Sequence, residues 1–177
     1  MLTRLRSSVG ADRWLCVAVQ GLNRFYQRRT DEVIAGWMTR QDRELAIADN
    51  IAYAHRVLEA VGREWTVSGR MVLAGFSQGT SMAFRAAAAL TRPPAGVIAV
   101  GGDIPPEIPD AALGACGTVL LCRGRTDGWY TDEKFAADNA RLHRAGAAAR
   151  AVEFDGGHEW NAAVTAAVSD FLAEAQR

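Results

Sequence analysis

Lysine is almost missing from the 177 residues. Lys134 is the only one, and arginine supplies nearly all the positive charge. Twenty basic and twenty acidic side chains give a formal net charge of zero. That balance argues against a nucleic-acid partner, which demands a basic face. The arginine-rich run 24–29 reads as solvated surface. Cysteine is scarce as well: Cys16, Cys116 and Cys122 are odd in number, lack C-x-x-C spacing and lie in or beside apolar runs. Such thiols read as small buried hydrophobes rather than as a disulfide framework or a metal site. No apolar run reaches the length of a membrane span. Residues 1–6 carry arginines but no following apolar segment of a secretory leader. The sequence therefore reads as a soluble cytoplasmic protein. Histidine is limited to His55, His143 and His158, so few side chains compete for the role of a base.

Hydrophobic residues make up 49% of the chain, enough for one full-sized core, and residues 1–177 are expected to form a single domain. The most informative stretch is M-V-L-A-G-F-S-Q-G-T-S-M-A at 71–83. An apolar strand-like run enters G-F-S-Q-G and passes directly into a helix-forming run. Glycines two residues to either side of Ser77 leave room for a tight corner, at which serine adopts a strained backbone conformation. Its hydroxyl would stand at a helix N-terminus, where partial positive charge favours a developing oxyanion.

Three more apolar runs of strand length, 14–19, 96–100 and 118–122, join the one at 70–75, and 149–154 reads as a further strand. Helical spacing separates them. Leu2, Leu5 and Val9 read as a helix end closed by Gly10. A capping-box-like spacing at 39–42 precedes a stripe of Ile47, Ile51, Ala54, Leu58 and Val61, stopped by Gly62. Thr131 reads as the N-cap of a helix that runs to Gly146, and the last helix carries Trp160, Val164, Val168, Phe171 and Leu172. Residues 20–37 have no clear period and read as a loop. This alternation predicts an α/β fold: a mainly parallel sheet with helices on both faces. Ligands of such sheets gather at the carboxyl ends of the strands, and Ser77, Asp127 and His158 each follow a separate strand.

An alcohol becomes a nucleophile when a base takes its proton, and an acid on the far side of an imidazole fixes its tautomer. His55 and His143 fall inside helices, whereas His158 sits in a Gly-Gly turn beyond a strand. Asp127 has rivals in Asp103, after the 96–100 run, and Asp132, in the next helix; Glu159 reads as a helix-start charge. The order serine, acid, histidine is that of the α/β-hydrolases. The chain resembles their phospholipase/carboxylesterase group, the serine esterases related to acyl-protein thioesterases and dienelactone hydrolase. G-F-S-Q-G-T-S-M-A, R-G-R-T-D-G-W-Y and F-D-G-G-H-E-W carry the resemblance, which extends from about residue 14 to the C-terminus. It implies an α/β-hydrolase fold and hydrolysis of small-molecule carboxylic esters or thioesters, with no metal or organic cofactor. Serine at position 77 separates the chain from the dienelactone hydrolases, whose nucleophile is cysteine.

One departure stands out. Members of the group begin with further strands, one of which ends in an H-G-x-G-like loop that supplies an oxyanion-hole N–H. Nothing before Trp14 matches it, so the chain is expected to be N-terminally truncated and to lack the N-terminal strands. The backbone N–H of Gln78 remains as an oxyanion donor, with the turn 20–22 as a substitute for the second. Trp37, Met38 and Trp129 either line a substrate pocket or close the top of the core; Trp160 belongs to the core. No long insertion separates the 96–100 and 118–122 runs, which suits an open site for small esters. A peptidase or acyltransferase with the same three side chains, and a hydrolase-like scaffold without chemistry, are the competing readings.

Overall fold

In the computed structural model, residues 2–9 and 14–176 are described, and expectations for Gly10 fall outside them. Their contacts divide the chain into two compact units, Met1–Val17 with Val67–Arg177, and Ala18–Thr66.

The larger unit is built on a parallel sheet of four strands: β3 (Val72–Phe76), β4 (Gly96–Val100), β5 (Thr118–Gly124) and β6 (Ala149–Phe154), paired in that order. The central strands are apolar at consecutive positions because helices cover both faces. Val97 and Ala99 pair with Val119 and Leu121 on one face. They pack with Phe84 and Ala87 of α3 (Gln78–Ala88), Leu113 of α4 (Asp110–Gly114), and Phe135 and Leu142 of α5 (Asp132–Arg144). Ile98 and Val100 pair with Leu120 and Cys122 on the other face. There they meet Val164, Val168 and Phe171 of α6 (Ala162–Glu174), together with Leu5 of α1 (Leu2–Ser8). This arrangement matches the expected α/β architecture. Cys116 and Cys122 lie buried in these two cores, and burial pushes their thiols up to about 11 and about 12. Leu120 is fully buried at the centre of the sheet, so Leu120→Ala should cost about 2–5 kcal/mol of stability, measured by urea unfolding.

Helix ends follow local chemistry unevenly. Asn161 caps α6, its Oδ1 accepting from the Ala163 and Val164 N–H groups at 3.0 and 3.2 Å. Trp160 precedes that cap instead of lying on the helix; it is buried in the core, its indole N–H donating to Thr165 Oγ1 at 3.2 Å. Thr131 holds the N-cap position of α5, but its hydroxyl makes no capping bond.

The smaller unit contains an antiparallel hairpin, β1 (Asn23–Tyr26) with β2 (Val33–Gly36), followed by α2 (Arg43–Glu64). The hairpin replaces the loop expected over 20–37. Its strand formers Phe25, Tyr26, Val33 and Ile34 pair across a turn in which Asp31 takes φ 53°. The capping box expected before α2 is absent: Asp42 is left-handed, with φ 51°, and its side chain makes no cap bond. The helix also continues past Gly62 to Glu64. Asn50 is buried, its amide donating to the Trp37 and Ala46 carbonyls and its Oδ1 accepting from the Leu22 N–H at 3.3 Å.

Residues 14–19 form no strand. A continuous apolar run records hydrophobicity, but a strand also needs a neighbour to exchange backbone hydrogen bonds, and among the described residues β3 pairs only with β4. Trp14 packs against the α6 face of the core, and Leu15 and Val17 are exposed.

Candidate active site

The corner after β3 carries the first candidate side chain. Ser77 takes φ 55° and ψ −123°, a region strained for any residue with a Cβ. Hydrogen bonds of Ser77 and Thr80 hold the corner there. Its N–H donates to the Val100 carbonyl at 2.9 Å, its own carbonyl accepts from the Thr80 N–H at 3.0 Å, and the Thr80 hydroxyl lies 3.2 Å from both the Gly75 and Val100 carbonyls. A Cβ at Gly75 would run into the Gly79 carbonyl, so the glycine lets strand and helix backbones meet. Gln78, beside the serine, is the first residue of α3.

Asp127 and His158 come from the loops after β5 and β6, which are stitched together. The Arg125 N–H donates to the Phe154 carbonyl, and the Thr126 N–H and hydroxyl both donate to the Gly156 carbonyl, at 2.9–3.0 Å. The Asp127 side chain is only 1% exposed. Its Oδ1 accepts from the Trp129 and Tyr130 N–H groups at 2.8 and 3.0 Å, and its Oδ2 lies 2.8 Å from His158 Nδ1. Burial alone would raise its pKa; the backbone N–H of Tyr130, the imidazole and the N–H of Trp129 outweigh it, and the net shift is downward. An ionised carboxylate only accepts, so Nδ1 carries a proton and, in the neutral ring, Nε2 has the lone pair. Nε2 stands 2.9 Å from Ser77 Oγ. Phe76 lies against the ring, centroids 5.0 Å apart, and 26% of the imidazole side chain remains open to solvent.

Of the histidines and acids weighed from sequence, the structure brings Ser77, Asp127 and His158 together. Asp103 instead pairs with Lys134 at 3.6 Å and Asp132 with Arg123 at 3.1 Å. Trp129 is 76% exposed at the edge of the Asp127 loop. Trp37 lies in the smaller unit, half-buried. The Leu22 N–H of the 20–22 turn is engaged by Asn50. Among the described residues no group of three or more His, Cys, Asp or Glu side chains could hold a metal ion, and no helix is long and apolar enough to cross a membrane.

Residues 34–174 match the family model described as Phospholipase/Carboxylesterase. The chain belongs to the phospholipase/carboxylesterase family. As a member it is a hydrolase of the carboxylesterase type, with an α/β-hydrolase fold. Among curated proteins, none matches the sequence. A carboxylesterase from Mesorhizobium loti superposes with a TM-score of 0.76 at 20% identity, over 97% of this chain and 80% of that one. Esterase PE8 gives 0.58 at 27% identity, over 79% and 70%. Zea mays acyl-protein thioesterase 2 gives 0.62 at 14% identity, over 83% and 75%.

Sequence reasoning did not reach Phe76, Gly101, Tyr130 or Asp138. The last left a readable trace, a carboxylate on the buried stripe Phe135, Asp138, Leu142 of α5. A polar residue on an apolar stripe needs a partner.

Proposed function

We propose that this family member cleaves carboxylic esters, and thioesters by the same route, through an acyl-enzyme on Ser77. The observation that carries the reading is the continuous chain from Ser77 Oγ to His158 at 2.9 Å and from His158 to Asp127 at 2.8 Å, with the serine held at positive φ. Ser77 Oγ attacks the acyl carbon as its proton passes to His158 Nε2. The resulting imidazolium is stabilised by the Asp127 carboxylate. The oxyanion forms next to the N-terminus of α3, where the Gln78 N–H and the helix dipole favour negative charge. Collapse expels the alcohol or thiol, with His158 returning the proton, and water attacks the acyl-enzyme along the same path. The exposed Trp129 offers an apolar wall to a small ester group; a role for Trp37 rests on its sequence position alone.

Fluorophosphonate labelling tests the nucleophile. The adduct should map to Ser77 by mass spectrometry, vanish in Ser77→Ala and form at least about a hundredfold more slowly in His158→Ala, which lacks the base. Equal labelling of wild type and Ser77→Ala would remove the serine from the mechanism.

A further inference from the structure

Beyond Asp127, a second buried carboxylate lies behind the site. Asp138, in α5, is buried, and its Oδ2 accepts two hydrogen bonds. One comes from the Tyr130 hydroxyl at 2.9 Å and the other from the Ile104 N–H at 3.0 Å. Both partners belong to loops that touch the reacting groups. Tyr130, fully buried and edge-on to Phe135, gives its own N–H to Asp127 Oδ1. Ile104 follows the Gly101–Gly102 turn after β4. Gly101 has φ +60°, and a Cβ there would sit 3.3 Å from His158 Cε1 and Nδ1 and 3.4 Å from Asp127 Oδ2. At Gly102 a Cβ would strike the Ser77 carbonyl. The 101–104 turn is thus the surface against which the imidazole and the serine corner rest.

We propose that Asp138 is a positioning residue: it ties the Tyr130 loop and the Gly101–Ile104 turn to one buried oxygen, and so fixes Asp127 and the backing of His158 in register. Asp138 touches neither serine nor imidazole; it acts through Tyr130 and Ile104. Burial drives its own pKa up, and the Ile104 N–H and the Tyr130 hydroxyl only partly offset that cost. Arg141, one turn further along α5, reinforces the same arrangement by donating to the Pro105 carbonyl at 3.0 Å and to Asp110 at 3.2 Å. Small displacements matter here, because an attacking group misplaced by about 1 Å loses about a hundredfold in rate.

The inference rests on the acyl-enzyme reading for its kinetic consequence, but not for its structural one. Tyr130→Phe removes a single hydroxyl, Asp138→Ala removes the acceptor, and Asp138→Asn keeps one oxygen able to take both bonds. Two quantities are read in each: kcat and KM on p-nitrophenyl acetate, and the downfield proton resonance of the His158–Asp127 hydrogen bond, assigned by its absence from Asp127→Ala. Tyr130→Phe and Asp138→Ala should each lower kcat about ten- to a hundredfold with KM within about twofold, and shift or broaden the resonance. Asp138→Asn should recover most of both. An unchanged kcat and resonance in Tyr130→Phe would overturn the proposal, as would Asp138→Asn falling as low as Asp138→Ala. Equal turnover by wild type and Ser77→Ala would instead sink the acyl-enzyme reading, and the resonance alone would then decide the role of Asp138.

Discussion

Replacing Ser77 by alanine should lower the turnover of p-nitrophenyl acetate by about 10⁵- to 10⁶-fold, with the fold and stability little changed. The size follows from what the substitution removes. On the proposed mechanism no acyl-enzyme forms without the hydroxyl, and His158 is left beside a methyl group with no proton to take. What survives is binding and oxyanion stabilisation next to α3, which in hydrolases of this kind leaves roughly 10³–10⁴ over water. Stability should hold because the strain at φ 55° is borne by the Val100, Gly75 and Thr80 bonds, all made by backbone atoms or by Thr80. Steady-state kinetics with a matched thermal melt checks both parts. A loss smaller than about tenfold would mean that some other group is the nucleophile.

Asp127→Asn should cost about 10⁴ in kcat, and the structure says why the substitution cannot escape it. The Trp129 and Tyr130 N–H groups both point at Oδ1. Two donors at that position dictate that the asparagine places its carbonyl oxygen there, which turns its NH₂ towards His158. The amide then donates to Nδ1, the ring proton moves to Nε2, and the lone pair that should receive the serine proton is gone. A turnover assay at neutral pH reads the loss; recovery to within tenfold of wild type would show that the ring keeps its tautomer without the carboxylate. The same carboxylate sets an acid limit. Its pKa is lowered on folding, so the stability it contributes is fully present above the ordinary aspartate value of 3.8 and disappears as pH falls through the lower folded value. The stability gap between wild type and Asp127→Asn should therefore be flat near neutrality and close only below that range, as urea titrations at stepped pH would show.

These side chains were legible because their spacing carries the topology. Strands at 96–100 and 118–122 are readable from composition, since a strand covered on both faces must be apolar throughout, and loops after such strands open on one edge of the sheet. The run at 14–19 satisfied the same rule and forms no strand, because apolar sequence cannot announce whether a pairing partner stands beside it. The hairpin at Asn23–Tyr26 and Val33–Gly36 was hidden for the converse reason. Exposed on both faces, its strands show no alternation, and only β-propensity and one left-handed aspartate mark the turn. Asp138 was not legible because its partners, 34 and 8 residues away, lie in two loops whose meeting at one oxygen no local pattern announces.

The stitching of the Arg125–Thr126 backbone to Phe154 and Gly156 has a consequence for how damage spreads through the site. Acid and imidazole ride on a single welded rim, so a motion that withdraws one withdraws the other, and the proton already assigned to Nδ1 travels with them. The imidazole meets the alcohol through a single side-chain contact of 2.9 Å, while the serine corner is tied to the neighbouring strand by its own N–H. A substitution that cuts this stitching should therefore disturb acid and base together rather than either one alone.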